Sequence, residues 1–299
     1  MTNPSIATLH HAAQMLEAHP DFRVLRRLQN VDSFYRGAPL APLRVGVAVD
    51  VETTGLDHDR DRIIELAAQR FRFDALGRVV QLGQPRVWRE DPEMELDPRI
   101  TMLTGLTDQD LAGQSIDEGA AVDLLASADI TIAHNAGFDR PFVDRRLPAL
   151  SGKPWACSMV ELDWLALGFE GKALSQLVSQ CGWFYAGHRA ENDILALIHL
   201  LAHSLPDPSG LGDHTILSHL MAASEQPNYR INAVDAPFEA KDALKAKAYR
   251  WDGAMRFWWR SVAQDELEAE IEWLRQEVYA GRGAPAIFPQ SACDRYRKA

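Results

Sequence analysis

Five side chains carry the chemistry for which this sequence can be read. Asp50 and Glu52 lie in Val49-Asp50-Val51-Glu52-Thr53-Thr54-Gly55, Asp139 closes His134-Asn135-Ala136-Gly137-Phe138-Asp139, and His188 opens the segment that ends at Asp193. Four carboxylates drawn from distant parts of a chain cannot gather as bare anions without a large desolvation and repulsion cost, so a pocket that gathers them does so around cations. Hard oxygen donors suit Mg²⁺ or Mn²⁺, which keep part of their water shell for a phosphate group. Two such ions answer the needs of phosphodiester hydrolysis: an activated water, charge neutralisation at the transition state and stabilisation of the departing oxygen.

The intervening elements must position these groups. From Arg44 the chain alternates with period two. Val45, Val47, Val49 and Val51 point one way, and Gly46, Ala48, Asp50 and Glu52 the other, which predicts a strand with both acids on one face. Arg62 to Phe73 and Arg78 to Trp88 predict two further strands, joined antiparallel at the Asp74-Ala75-Leu76-Gly77 turn. Ser115 is placed to cap a helix from Ile116 to Ala126, and Asp129 to Ala133 reads as a short apolar strand. Helices are expected at Arg140 to Leu147, Leu174 to Cys181 and Asn192 to Leu205, the last ended by Pro206. Strands first, then strands alternating with helices, predict an α/β domain with a mixed sheet. Five residues separate His188 from Asp193, about 140° on a regular helix, so His188 is expected on the loop entering that helix.

With their flanks, these segments resemble the DEDDh exonucleases of the DnaQ-like superfamily, over roughly Arg44 to Leu205. Asp50 and Glu52 match the DxE followed by Thr-Thr-Gly, Asp139 matches the acidic residue of the His-Asn-x-x-Phe-Asp segment, and His188 with Asp193 matches the HxxxxD of the histidine subgroup. The resemblance implies a ribonuclease H-like mixed five-stranded sheet flanked by helices, and hydrolysis from the 3′ end that releases nucleoside 5′-monophosphates. It implies two divalent cations, Mg²⁺ or Mn²⁺, with Asp50 bridging both, Glu52, Asp139 and Asp193 completing their shells, and His188 as general base. An imidazole, with an ordinary pKa near ~6.5, suits proton abstraction around neutrality.

Main-chain groups at Thr53 and Thr54, with Leu56 nearby, are candidates to hold the terminal nucleotide. Leu103 lies where relatives place an apolar residue against the last bases, with core packing the alternative for both leucines. Asn135 either bonds substrate or ties its own turn, Asp139 could cap the helix that follows it, and Glu65 reads as structural support beside the site. Arg140, Arg145, Arg146 and Lys153 either line the strand's path or form a solvated helix face.

The 299 residues, 46% hydrophobic and 24% charged, allow a sizeable core. Three parts are expected: residues 1–43 as an N-terminal helical extension, 44–206 as the exonuclease domain, and 207–299 as a small α+β module entered through Pro206-Asp207-Pro208-Ser209-Gly210. In the module, Lys241, Lys245, Lys247, Arg250, Arg256 and Arg260 interleave with Trp251, Phe257, Trp258 and Trp259, a composition shared by single-strand platforms and by small tryptophan-built cores; the core reading is preferred. No run approaches the ~18 apolar residues of a membrane span, and the N-terminus lacks an export pattern, so a soluble cytoplasmic protein without a membrane partner is expected. Cys157, Cys181 and Cys293 lack disulfide or zinc spacing. A net charge of -11 counts against a bulk electrostatic coat for nucleic acid but not against an enzyme that grips a few nucleotides of a single-stranded or 3′ end. DNA is favoured as substrate, with a DNA polymerase or repair partner left open; the competing readings are an exoribonuclease and a catalytically weak end-binding scaffold.

Overall fold

A computed structural model describes residues 5–206 and 214–298. Helix α1 (Ile6–Glu17) buries none of its residues, whereas Arg26–Arg27 pair parallel with Trp183–Phe184 and Leu28 enters the core. The period-two segment is the central strand β1 (Arg44–Thr53), paired antiparallel along its length with β2 (Ile63–Phe73); Asp50 faces Ala67 and Glu52 faces Glu65. Gly46 lies opposite Phe71, and a Cβ there would fall 2.4 Å from that ring, so only glycine lets the aromatic cross the strand.

The expected third strand is broken into β3 (Val79–Leu82) and β4 (Arg86–Arg89), both pairing with β2. Pro85 in the gap has no N–H to give a ladder. Short helices α2 (Pro98–Thr104) and α3 (Asp108–Leu111) follow, neither foreseen. Helix α4 (Glu118–Ala126) is capped by Asp117, which accepts from the Ala120 amide at 3.0 Å, rather than by Ser115. Strand β5 (Ile130–Ala133) runs parallel to β1, and the unforeseen β6 (Trp155–Cys157) parallel to β5. The mixed sheet runs β3-β2-β1-β5-β6, with β4 beside β3 on the edge of β2, in agreement with the expected fold class.

Between β5 and β6, helix α5 (Ala136–Arg146) begins four residues earlier than expected because Asn135 takes φ 93° and turns the chain straight into it. Helices α6 (Leu174–Gln180), α7 (Ala190–Leu201) and α8 (Ile216–Glu225) complete the layers. Helix α7 ends at Leu201, short of Leu205, because Ser204–Leu205 instead pair with His214–Thr215. Ala48, Phe71 and Ile132 on one sheet face pack with Ile194, Leu197 and Leu201 of α7. Val47, Val49 and Val51 on the other pack with Leu125 of α4 and Phe142 of α5.

The C-terminal part has its own core around Ile231, Leu244, Val262 and Leu274. It is an antiparallel sheet of β7 (Asn228–Ala233), β8 (Arg250–Asp252), β9 (Phe257–Ala263) and β10 (Ala286–Gln290), ordered β8-β9-β7-β10, with helices α9 (Lys241–Ala246) and α10 (Leu267–Trp273). After β10 the chain returns to the large sheet, where Ala292 accepts from the Trp155 amide at 2.9 Å. The expected connector beyond Pro206 lies outside the described residues. Among the described residues no helix is long and apolar enough to cross a membrane.

Candidate active site

Strand alternation delivers Asp50 and Glu52 to one face, and the first turn of α7 delivers Asp193 beside them; ligand oxygens of the three lie within 4.8 Å of one another. Asp139, buried in the first turn of α5, does not cap that helix: its carboxylate accepts from the Val51 amide at 3.1 Å. Burial lifts the Asp50 carboxyl well above its ordinary range, and the charges of Asp139, Asp193 and Glu52 add to it. Burial and the Asp193 and Glu65 carboxylates raise Glu52 to about 7 against the pull of Arg189. Asp139 is raised to about 8 by burial, in spite of amide donors from Val51 and itself. Asp193 is raised by burial and partly restored by the Tyr185 hydroxyl and the amides of Arg189 and His188. Four carboxylates that push one another up leave negative charge that a cation would balance, and an all-oxygen donor set fits Mg²⁺ or Mn²⁺.

His188 occupies the loop before α7 with φ 62°; its ring is exposed and hydrogen-bonds to none of the described residues. The main chain beneath it is fixed. Tyr185 donates to Asp193 at 3.0 Å and the Arg189 amide donates at 3.2 Å. Fully buried Glu65 accepts from Arg89 (3.3 Å), from Arg189 (3.2 and 3.4 Å) and from the Ala190 amide (3.3 Å). Glu65 thereby ties β2 to the start of α7, the turn that carries both His188 and Asp193. Neither Tyr185 nor Arg189 is singled out by sequence reasoning; the only signal is that both flank His188.

Thr53 bonds the Gly55 carbonyl through its hydroxyl, and the Thr54 amide is committed to the Arg62 carbonyl at 2.9 Å. Leu56 is 81% exposed and Leu103 49%, so neither belongs to the core. Asn135 is exposed and makes no side-chain cap. His134 ties the rim through Ser158 (2.8 Å) and the Lys172 carbonyl (2.7 Å), and burial lowers its pKa.

The four cations weighed for the strand's path are otherwise engaged. Arg145 donates to the carbonyls of His58 and Asp61, Arg146 pairs with Glu90 and Glu118, and Lys153 reaches the Ala126 carbonyl at 3.4 Å. Arg140 is 0% exposed and clasps the C-terminal tail, donating to the carbonyls of Cys293 (2.7 Å), Arg295 and Ala292. An arginine placed so can reach no substrate. Arg140→Met should cost roughly 2–4 kcal/mol through orphaned carbonyls and Asp144. The expected readout is a lower urea midpoint with proteolytic release of the tail after Gln290; an unchanged midpoint with a protected tail would refute the clasp.

The sequence model of the RNase T exonuclease family matches residues 47–201. The chain is 26% identical over 178 residues to DNA polymerase III subunit epsilon of Treponema pallidum, covering 56% of this chain and 80% of that protein. It is 26% identical over 184 residues to the epsilon subunit of Aquifex aeolicus, covering 58% and 88%. Against the PolC-type DNA polymerase III of Bacillus subtilis it is 32% identical over 193 residues, 60% of this chain but only 13% of that one. Among solved structures it resembles exonuclease X in complex with 5′ overhanging duplex DNA, with TM-score 0.40 and 22% identity over 52% of this chain and 89% of that one. It also resembles Escherichia coli exonuclease I in complex with a dA16 oligonucleotide, with TM-score 0.47 and 17% identity over 84% and 64%.

Proposed function

The chain belongs to the RNase T exonuclease family and is thereby a 3′-to-5′ phosphodiester hydrolase; from that premise we propose that it shortens single-stranded or frayed DNA, releasing nucleoside 5′-monophosphates. The observation that carries this reading is the convergence of Asp50, Glu52 and Asp193 within ligand reach of one another, with Asp139 near enough for its charge to act on Asp50 and His188 on the adjoining loop. The four acids would hold two divalent cations, Mg²⁺ or Mn²⁺. Bound there, such ions neutralise the scissile phosphate and acidify the attacking water.

The chain's own groups do the rest. His188 accepts the water's proton, and a ring that hydrogen-bonds to none of the described residues, on a main chain fixed through Asp193 and Glu65, suits that task. Leu56 and Leu103 offer exposed apolar surface to the terminal bases, while Asn135 and the main chain around Thr53 and Thr54, apart from the Thr54 amide held by Arg62, offer polar contacts to the last nucleotide. DNA is preferred over RNA because relatives along this domain are DNA polymerase III subunits, which also supports association with a polymerase. A scaffold that only bound ends would have no physical need to crowd four carboxylates together.

Purified protein incubated with 5′-labelled DNA and RNA oligonucleotides, in Mn²⁺ and separately in EDTA, tests this. A ladder that shortens from the 3′ end in Mn²⁺ alone is expected, faster on DNA. Intact oligonucleotides of both kinds in Mn²⁺ would return the scaffold reading to the fore.

A further inference from the structure

The C-terminal sheet divides its aromatic residues between two faces. Trp258, Arg260 and Val262 of β9 point toward the helices, where Arg260 pairs with Glu270 of α10 at 3.3 Å and Trp258 joins the core. By alternation Phe257, Trp259 and Ser261 point the other way, to a face that none of the module's helices covers. Register places Arg250 of β8 and Asn232 of β7 beside Trp259, and Ser261 and Phe288 beside Arg230. The Arg230 guanidinium stands 4.3 Å from the Trp259 ring centroid and that of Arg250 5.8 Å, so two planar cations gather at the indole. Phe288 is 50% exposed on the same face.

The face's charge and polarity suit one kind of occupant. Arg230 is balanced by Asp252, whereas Arg250 and, in the β8–β9 turn, Arg256 are exposed and form no ion pair among the described residues. In a chain of net charge -11 such a spot draws a polyanion where the rest of the surface repels it. Aromatic and guanidinium planes receive unstacked bases, half-buried Asn228 and Gln290 offer edges for hydrogen bonds while Asn232, buried beneath, holds Arg230 at 2.9 Å, and the exposed arginines meet phosphates. A stacked duplex would present none of its base faces to such a surface. The sheet is also anchored to the catalytic domain: β10 ends at Gln290, and the carbonyls of Ala292, Cys293 and Arg295 are held by Arg140, next to Asp139.

We propose that this open face is a second nucleic-acid site that holds single-stranded substrate away from its 3′ end. The proposal rests on the exonuclease reading of the acidic pocket only in taking one strand to reach both sites. Binding of 5′-fluorescein dT20 to the full chain is measured by anisotropy in EDTA, where no turnover occurs, for wild type, Trp259→Ala and the double variant Arg250→Glu/Arg256→Glu. Each variant should bind roughly tenfold more weakly. The double variant should also lose salt dependence, by about 0.7 in logarithmic slope per phosphate contact removed. In Mn²⁺, KM for dT20 should rise while cleavage of a dinucleotide, too short to span the two sites, stays at the wild-type rate.

Wild-type affinity for dT20 in the double variant would overturn the proposal, and those exposed arginines decide the matter if Trp259→Ala melts early. Loss of a dimer in ultracentrifugation with unaltered dT20 binding would also overturn it, assigning the face to self-association. If wild-type protein hydrolyses nothing in Mn²⁺ yet the variants bind weakly, the exonuclease reading fails and this site stands.

Discussion

Replacing Asp50 with asparagine is expected to lower exonuclease turnover about a thousandfold while raising the melting temperature of the metal-free protein. The side chain keeps its shape and loses its charge. The Asp50 carboxyl is lifted first by burial and then by Asp139, Asp193, Glu52 and Glu65, so its ionised form opposes folding whenever no cation is present. Neutralising it removes that repulsion, and each kcal/mol relieved is worth about 2–4 °C for a domain of this size. The same change removes a negative donor from the proposed cation pair, and a loss of ~4 kcal/mol in transition-state stabilisation is about three orders of magnitude in rate. Opposite signs in the two measurements separate this from ordinary damage, which lowers both. Turnover within tenfold of wild type, or a lower metal-free melting temperature, would remove Asp50 from the proposed role.

Local pattern explains why some of this was readable in the sequence. Alternation alone puts Asp50 and Glu52 on one strand face, because the two-residue period needs no knowledge of the rest of the fold. Helical angle alone expels His188 from the helix of Asp193. Asp139 was legible only through the resemblance; read locally it passed for a helix cap, and the αL turn at Asn135 moved the helix start past it.

What stayed hidden depends on partners remote in sequence. Glu65 and Arg189 are 124 positions apart, and Arg140 meets carbonyls more than 150 positions away, so no window of sequence holds both halves of either contact. A cation in such a place reads as a solvated helix face until the tail that buries it is seen. The tryptophans of the C-terminal part were ambiguous for a related reason: adjacent strand residues take opposite faces, so Trp258 serves the core and Trp259 does not.

Metal-dependent stabilisation should grow with pH. Glu52 and Asp139 have folded-state values of about 7 and about 8, above ordinary carboxylate values of 4.5 and 3.8. Asp50 and Asp193 are raised in the same direction. The folded, metal-free protein therefore binds more protons than the unfolded chain between about pH 4 and 8, and its stability falls as pH rises through that window. A tenfold difference in proton affinity between the folded and unfolded chain is worth ~1.4 kcal/mol, so the decline from pH 5.5 to 8.5 in EDTA should amount to several kcal/mol. A divalent cation competes with those protons: at pH 5.5 it must displace them, while at pH 8.5 it meets carboxylates already ionised and repelling one another. Thermal melts in EDTA and in saturating Mn²⁺ across this range should diverge upward, with Mn²⁺ adding little at about pH 5.5 and more than about 5 °C at pH 8.5. Titration calorimetry near pH 7 should register proton release on Mn²⁺ binding through its dependence on buffer ionisation heat. A Mn²⁺ effect of equal size at both ends of the range would mean that the cation binds elsewhere, because no site built from these four acids could escape the competition.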